Sequence, residues 1–262
     1  MAEWALLQKH LLCCVFAKKK SVTFVLLILS FMGFNARSYL FLLLMVSFTI
    51  ARAASDVADL PLREFPATSN QKILLVYFTG DGGWNSFSQQ LVKQVNSRNY
   101  PVVAFDCRKY FWEAKTPKKF AEDVQRIISH YLLSWKLEKV AFVGYSFGAD
   151  VAAFLPTQLQ KSIVEKLLPI ALMSPTYSTD FEIKLTDLMG GSTKVDRKYN
   201  VQEALLKSNV PVLCIFGKDE DLYMKEGLIA NGKIVVREIP GSHRYDNNVE
   251  LLTSLILENI AL

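Results

Sequence analysis

Short runs of consecutive apolar residues alternate along this chain with longer stretches in which apolar residues recur every three or four positions. The short runs predict buried strands at residues 72–79, 102–105, 140–143, 170–173, 212–216 and 233–239. The longer stretches predict amphipathic helices over 85–96, 116–135 and 249–259. Because strand and helix patterns alternate, we expect an α/β fold, in which a mostly parallel sheet is covered by helices on both faces.

The strand predicted over 140–143 leads directly into the pentapeptide 144–148, Gly-Tyr-Ser-Phe-Gly, and then into a helix-compatible stretch over 149–155. A G-x-S-x-G sequence between a strand and a helix is typical of a nucleophilic serine on a sharp, strained turn, where larger flanking residues would collide with neighbouring elements. The structural alternative is a glycine-rich turn that happens to contain a serine. The strand before the motif and the helix after it favour Ser146 as a nucleophile.

A nucleophilic serine needs a base that takes its proton. The chain contains only three histidines. His10 lies in the N-terminal leader and His130 in a predicted helix, whereas His243 follows the last predicted strand in the turn Pro-Gly-Ser-His. Since the carboxyl ends of parallel strands meet at one edge of the sheet, we expect His243 to lie beside Ser146.

The third member of a triad is an acid that orients the histidine. The strand predicted over 212–216 is followed by three consecutive carboxylates, Asp219, Glu220 and Asp221. The order serine, acid, histidine along the chain is that of α/β-hydrolases. The spacing of three residues after Gly217 favours Glu220, with Asp219 and Asp221 as alternatives, and a solvated acidic turn is the structural interpretation of the cluster.

A glycine-rich turn, Gly-Asp-Gly-Gly at 80–83, follows the first predicted strand of the body. In this fold the corresponding loop supplies one donor to the oxyanion hole, and the residue after the nucleophile supplies the other. We therefore predict an oxyanion hole formed by the main-chain amides of Phe147 and of Asp81 or Gly82. A phosphate-binding loop is disfavoured, because no G-x-x-x-x-G-K-[ST] sequence is present.

Several segments together resemble the VirJ/AcvB family of bacterial virulence proteins, over about residues 70–260. They are Thr-Gly-Asp-Gly-Gly-Trp at 79–84, the segment 106–112 with its Tyr-Phe-Trp triplet, Thr-Pro at 116–117 and the segment 144–150. The resemblance implies a periplasmic α/β-hydrolase that removes the aminoacyl group of lysyl-phosphatidylglycerol and is linked to type IV secretion. The sequence Gly-Ser-His-Arg at 241–244 departs from the Gly-Gly-His-His form associated with the family.

These observations favour a serine esterase that acts on a phospholipid or another ester at the membrane surface. An aminoacyl ester carries ammonium groups close to the carbonyl under attack, so carboxylates outside the triad are candidates for substrate binding. Asp81 and Asp150 are the first candidates, and Asp180 and Glu182 are weaker ones. The alternative is a non-catalytic periplasmic accessory protein that uses the same fold to contact proteins of a secretion system.

Charge separates an N-terminal leader from the body of the chain. Six of the 30 basic residues but only one of the 25 acidic residues precede residue 54, so the net charge of +5 belongs to the leader and nothing in the body indicates nucleic-acid binding. Two apolar runs, 21–34 and 39–50, are followed by Ala-Arg-Ala at 51–53, which predicts a signal peptide, with Met32 as an alternative start. A single tilted membrane span over 21–50 is the other interpretation. We expect domains at 1–53 and 54–262, and export to the periplasm, with or without an inner-membrane anchor.

The body has two cysteines, Cys107 and Cys214, which lie at different strand ends and are expected to be buried free thiols. No cysteine or histidine cluster has the spacing of metal ligands, so no metal or cofactor is predicted. The connection over 174–209 exceeds the usual loop length and predicts a cap or substrate-binding insertion, with a bend at Gly190-Gly191.

Overall fold

Seven strands form one sheet in the computed structural model, which describes residues 57–68, 72–184, 197–220, 228 and 232–261. The sheet order is β1-β3-β2-β4-β5-β8-β9, and every neighbouring pair is parallel except β1 and β3. A separate antiparallel pair joins β6 to β7. The strands are β1 (Leu62–Phe65), β2 (Ile73–Phe78), β3 (Val102–Phe105), β4 (Lys139–Tyr145), β5 (Ile170–Met173), β6 (Ser178–Thr179), β7 (Tyr199–Asn200), β8 (Val212–Gly217) and β9 (Ile234–Ile239).

The described residues also form eight α-helices, seven of which lie between strands while the last follows β9. They are α1 (Ser86–Ser97), α2 (Cys107–Tyr110), α3 (Pro117–Ser134), α4 (Phe147–Ala152), α5 (Leu155–Gln158), α6 (Lys161–Val164), α7 (Val201–Leu206) and α8 (Val249–Ile260). The α3 helix begins as its sequence predicts, because the Thr116 side chain accepts a hydrogen bond from the Lys119 amide and Pro117 occupies the first turn. Within the described part of the chain, every helix falls short of the length and hydropathy that a bilayer-crossing segment requires.

The two faces of the sheet pack against different helices. Successive residues of β2 point to opposite faces, so that Val76 and Phe78 join the cluster that contains Phe120 of α3, while Tyr77 joins the cluster that contains Leu91 of α1. The α8 helix covers the second face together with α1, and the two helices contact each other. This three-layer packing confirms the predicted α/β fold with helices on both faces of a mostly parallel sheet.

Local differences from the predicted elements have local causes. Strand β1 lies in the polar lead-in before residue 72, where the sequence predicts no element, and it is ordered by pairing with β3. The helix predicted over 149–155 is instead two short helices, α4 and α5. Pro156 in the first turn of α5 has no N–H with which to continue the preceding helix. The insertion over 174–209 contributes β6, β7 and α7, whereas its predicted bend at Gly190-Gly191 and the leader predicted at 1–53 lie outside the described residues.

Both cysteines of the body are buried free thiols, as expected. Burial raises the pKa of each thiol well above its ordinary value, in Cys107 and in Cys214 alike. The two thiols are therefore inert parts of the core.

Candidate active site

Ser146 lies on the turn between β4 and α4, in a backbone conformation that is rare for a residue with a side chain. Its φ is 53° and its ψ is −123°, and its amide donates to the carbonyl oxygen of Met173 at 2.8 Å. The flanking glycines permit this turn. A Cβ atom on Gly144 would lie 2.6 Å from the Ala149 Cα atom, and one on Gly148 would lie 2.3 Å from the Phe78 carbonyl oxygen. The motif therefore has the steric basis that its sequence indicates.

A continuous line of close polar contacts joins Ser146, His243 and Glu220. The Ser146 Oγ atom lies 2.9 Å from His243 Nε2, and His243 Nδ1 lies 3.2 Å from Glu220 Oε1. The Glu220 side chain is 5% exposed, whereas that of His243 is 47% exposed. The acid is thus shielded from solvent while the histidine remains accessible to a substrate.

Three strand ends bring these side chains together, because β4, β8 and β9 are parallel and present their carboxyl ends at the same edge. The turns after β8 and β9 approach each other closely at Gly217. A Cβ atom there would lie 2.4 Å from the Gly241 carbonyl oxygen. Gly241 itself has a φ of +97°, a conformation that favours glycine. These two glycines therefore allow the acid and the histidine to meet.

Of the three consecutive carboxylates after β8, Glu220 contacts His243. Asp219 is exposed, and its amide donates to the Gly241 carbonyl oxygen at 3.2 Å. Asp221 lies outside the described residues. The geometry therefore favours Glu220 as the acid, as its spacing after Gly217 indicates.

The glycine-rich turn after β2 lies against the nucleophile. The Gly83 amide donates to the Gly80 carbonyl oxygen at 3.0 Å, and a Cβ atom on Gly80 would lie 3.4 Å from the Ser146 Cβ atom. The amides of Asp81 and Phe147 donate to no acceptor within the described part of the chain, and Gly82 is exposed. Gly80, which the sequence interpretation passes over, is the residue of this turn that packs on Ser146.

Two side chains that the sequence interpretation does not identify, those of Ser174 and Tyr245, lie next to the acid. The Ser174 Oγ atom donates to Glu220 Oε1 at 2.6 Å and also contacts the Tyr245 hydroxyl. The signal was available, since Ser174 directly follows β5, at the edge of the sheet where the other site residues lie. Tyr145 supports the histidine from the other side: its hydroxyl donates to the His243 carbonyl oxygen at 3.1 Å, and burial raises the pKa of Tyr145 to about 12.

Asp150, a substrate-binding candidate, is buried one turn beyond Ser146. Its two carboxylate oxygens meet the amide and the hydroxyl of Thr176, at 2.6 and 2.7 Å. Burial raises the pKa of Asp150 to about 7, against the opposing effect of these hydrogen bonds. The arrangement favours a structural role, in which Asp150 ties α4 to the loop after β5.

The other carboxylate candidates differ in whether they already form ion pairs or hydrogen bonds within the protein. Asp180 lies 3.8 Å from Arg197 and accepts from the Lys198 amide, while Glu182 lies 3.4 Å from Lys184. Asp81 is partly exposed, on the turn that packs against the nucleophile. No group of three or more candidate metal ligands comes together among the described residues.

Fold and site together define this protein as one with the α/β-hydrolase fold and a serine elbow. Residues 72–262 match the family described as Bacterial virulence protein (VirJ). Because the match covers most of the chain, the chain belongs to this family, and the resemblance noted in the sequence is confirmed. No match was found among curated protein sequences.

Solved structures with the same fold include several enzymes. A lipase-esterase related protein from Clostridium acetobutylicum ATCC 824 is 13% identical, with a TM-score of 0.56 over 77% of this chain and 99% of that chain. MenH from S. aureus is 12% identical, with a TM-score of 0.58 over 76% and 97% of the two chains. Est1E from Butyrivibrio proteoclasticus is 16% identical, with a TM-score of 0.55 over 77% and 94%. At these identities the similarity establishes the fold alone.

Proposed function

We propose that this protein is a serine hydrolase that cleaves carboxylic esters. The observation that carries the proposal is the line of close polar contacts from Ser146 through His243 to Glu220, which begins on a strained serine turn. Such a line is what a serine needs to become a nucleophile at neutral pH. A glycine-rich turn without a catalytic role would not require a histidine nitrogen 2.9 Å from the serine hydroxyl oxygen.

In the proposed reaction, His243 Nε2 takes the Ser146 proton as Oγ forms a bond to the ester carbonyl carbon. The carbonyl π electrons move to oxygen, and the resulting oxyanion accepts hydrogen bonds from the amides of Phe147 and Asp81. His243 then donates its proton to the leaving alcohol, which departs and leaves an acyl group on Ser146. His243 then takes a proton from water as the water oxygen bonds to the acyl carbon, and it returns that proton to Ser146 Oγ as the bond to Oγ breaks and the acid leaves. Glu220 holds the imidazole and stabilises its charged form throughout.

The finer proposal is that the ester is an aminoacyl group on a phospholipid of the lysyl-phosphatidylglycerol type, in the periplasm. It is supported by membership of the VirJ family, by the resemblance that the sequence motifs carry, and by the leader at residues 1–53. Asp81 is the carboxylate best placed to attract a substrate ammonium, since it is partly exposed on the turn beside Ser146. Secretion-system proteins are the partners that the same resemblance implies.

The test compares the purified protein on lysyl-phosphatidylglycerol vesicles and on a neutral p-nitrophenyl ester. We expect turnover of both, covalent labelling of Ser146 by a fluorophosphonate, and loss of both in Ser146→Ala, whereas Ser86→Ala, an exposed serine at the start of α1, retains them. Asp81→Asn should lose rate on the lysyl ester more than on the neutral ester. Absence of both turnover and labelling in a folded protein would favour the non-catalytic accessory role.

A further inference from the structure

Ser174 has a strained backbone conformation and lies between the strands that carry Ser146 and Glu220. It directly follows β5, which lies between β4 and β8 in the sheet, and therefore between the strands that carry Ser146 and Glu220. Ser174 is fully buried and has a φ of 49°. A residue with a side chain adopts this left-handed conformation at a cost, and such strain persists where the surroundings over-determine it. Tyr245 on the other side of the contact is left-handed as well, with a φ of 53°.

The direction of each hydrogen bond around Ser174 follows from the number of protons available. The Ser174 hydroxyl meets Glu220 Oε1 and the Tyr245 hydroxyl, and the Tyr245 hydroxyl also lies 3.0 Å from the Ile215 carbonyl oxygen. An ionised carboxylate only accepts, so the single Ser174 proton is donated to Glu220. Only Tyr245 can then supply a proton to its contact with Ser174, and it shares that proton with the Ile215 carbonyl oxygen, to which its hydroxyl also donates.

Two further observations agree with this direction. The Ile215 carbonyl oxygen already accepts the Ser174 amide at 2.8 Å, so it does not depend on Tyr245 for a partner. Burial also raises the pKa of Tyr245, which keeps its hydroxyl a donor over the working pH range. The Ser174 hydroxyl therefore donates to Glu220, the Tyr245 proton is shared between Ser174 and the Ile215 carbonyl oxygen, and the same Glu220 oxygen lies 3.2 Å from His243 Nδ1.

We propose that Ser174 is a positioning residue for the proposed triad: held by Tyr245, its hydroxyl donates to Glu220 Oε1 and keeps that oxygen directed at His243. This inference rests on the proposed function, since it assigns Ser174 to the reaction of the same site. The other oxygen of Glu220, Oε2, is buried and has no hydrogen-bond partner among the described residues. The orientation of the carboxylate thus depends on the contacts of Oε1 with the Ser174 hydroxyl and with His243.

Removing the Ser174 hydroxyl changes the charge balance of the Glu220–His243 pair in one direction. Without the Ser174 hydroxyl, the negative charge of the buried Glu220 carboxylate is less stabilised by hydrogen bonding. It therefore attracts the proton of His243 more strongly. The pair then binds a proton more tightly. The titration midpoint of the His243 ring should therefore be higher in a variant that lacks this hydroxyl than in wild type.

Other groups that face the pair are untouched by this change. Tyr145 contacts His243 from β4, Arg244 lies next to it in the chain, and Asp150 and Asp81 carry nearby carboxyl groups. Because they are the same in wild type and variant, a difference between the two titrations isolates the contribution of Ser174. Ser88 provides a matched control, since it is also a buried serine whose hydroxyl contacts a buried tyrosine hydroxyl, that of Tyr77 at 3.0 Å.

The first experiment follows the His243 ring by NMR as a function of pH, in wild type, Ser174→Ala and Ser88→Ala. The chain has only three histidines, so His243→Gln identifies the signal. We expect the midpoint to rise by about one pH unit in Ser174→Ala, the shift expected for the loss of one hydrogen bond to a charged group, and to stay in place in Ser88→Ala. A midpoint in Ser174→Ala that equals that of wild type overturns the inference.

Two variants guard against misfolding of Ser174→Ala. Ser174→Gly also removes the hydroxyl and is suited to the left-handed backbone, so it should show the same shift. Tyr245→Phe keeps Ser174 but removes its donor, and we expect a smaller shift in the same direction, with Tyr77→Phe as its control. If Tyr245→Phe moves the midpoint no more than Tyr77→Phe does, the proposed role of Tyr245 is refuted.

The second experiment measures kcat/KM for the neutral ester across the same pH range. In Ser174→Ala the acidic limb of the profile should move to higher pH by as much as the NMR midpoint of His243 does, with KM little changed. A purely structural defect would instead lower the rate equally at every pH. An unmoved limb counts against the inference. If Ser146→Ala keeps full activity, the proposed function fails, and the NMR titration still decides whether Ser174 tunes the Glu220–His243 pair.

Discussion

Asp150 should make this protein less stable as the pH rises from about 4 to about 7. Burial raises its pKa in the folded state from an ordinary value of 3.8 to about 7. Between these two values the folded state binds a proton that the unfolded state has released. The stability that this proton contributes is therefore fully present below the unfolded pKa and is lost as the pH rises through the folded pKa.

The size of the effect follows from the pKa difference. One pKa unit corresponds to about 1.4 kcal/mol, so a rise from 3.8 to about 7 corresponds to at most about 4 kcal/mol of unfolding free energy. For a domain of this size that amounts to a change in Tm on the order of 10 °C.

Asp150→Asn should remove this pH dependence, because an asparagine resembles the protonated acid. Its oxygen can accept from the Thr176 amide and its NH₂ group can donate to the Thr176 hydroxyl. That hydroxyl is then free to donate to the Ser178 carbonyl oxygen, which lies 3.1 Å away. We expect the variant to match wild type near pH 4 and to be the more stable protein near pH 8.

The assay is urea unfolding of wild type and Asp150→Asn at several pH values between 4 and 9, where the difference between the two cancels the titration of other groups. Asp123→Asn is a control of opposite sign. Burial opposes ionisation of Asp123, but hydrogen bonds from Tyr110, Lys119 and Arg126 outweigh it and lower the pKa. Its variant should lose stability at neutral pH and recover relative to wild type on acidification. A stability difference for Asp150→Asn that is constant across the pH range would refute the reasoning.

Three further predictions concern the triad acid, the serine turn and the leader. Glu220→Gln should lower kcat about 10²–10⁴-fold and Asp219→Asn less than threefold, as measured on the neutral ester; the reverse order would move the acid to Asp219. Gly148→Ala should lose several kcal/mol in urea unfolding, because the new Cβ atom would lie 2.3 Å from a backbone carbonyl oxygen, whereas Gly232→Ala, with open space around it, should lose about 1 kcal/mol. N-terminal sequencing of the exported protein should begin near Ala54, and a product that retains Met1 would instead support a membrane anchor.

Elements with a strong local pattern could be predicted from the sequence. The strands at 102–105 and 170–173 begin and end where their apolar runs predict, because a fully buried strand must be apolar along its whole length. The serine turn was equally predictable, since a side chain at either of its two glycines would collide with adjacent backbone. The position of His243 followed from topology, because all parallel strands end at the same edge.

Features that depend on contacts between distant segments could not be predicted in this way. Strand β1 has the sequence Leu-Arg-Glu-Phe, with no continuous apolar run, and its pairing with β3 places it in the sheet. Among consecutive carboxylates, sequence spacing could favour Glu220, but burial and a side chain directed at His243 are properties of the folded turn.

The roles of Ser174 and Asp150 were decided by tertiary structure alone. Ser174 meets Glu220 across 46 residues of chain, and Asp150 meets Thr176 across 26. Local sequence carries hydrophobic period and backbone sterics, which determine where strands, helices and the serine turn form. It does not carry the desolvation of a carboxylate or the partner that compensates for it, because both arise only when the sheet brings its strand ends together.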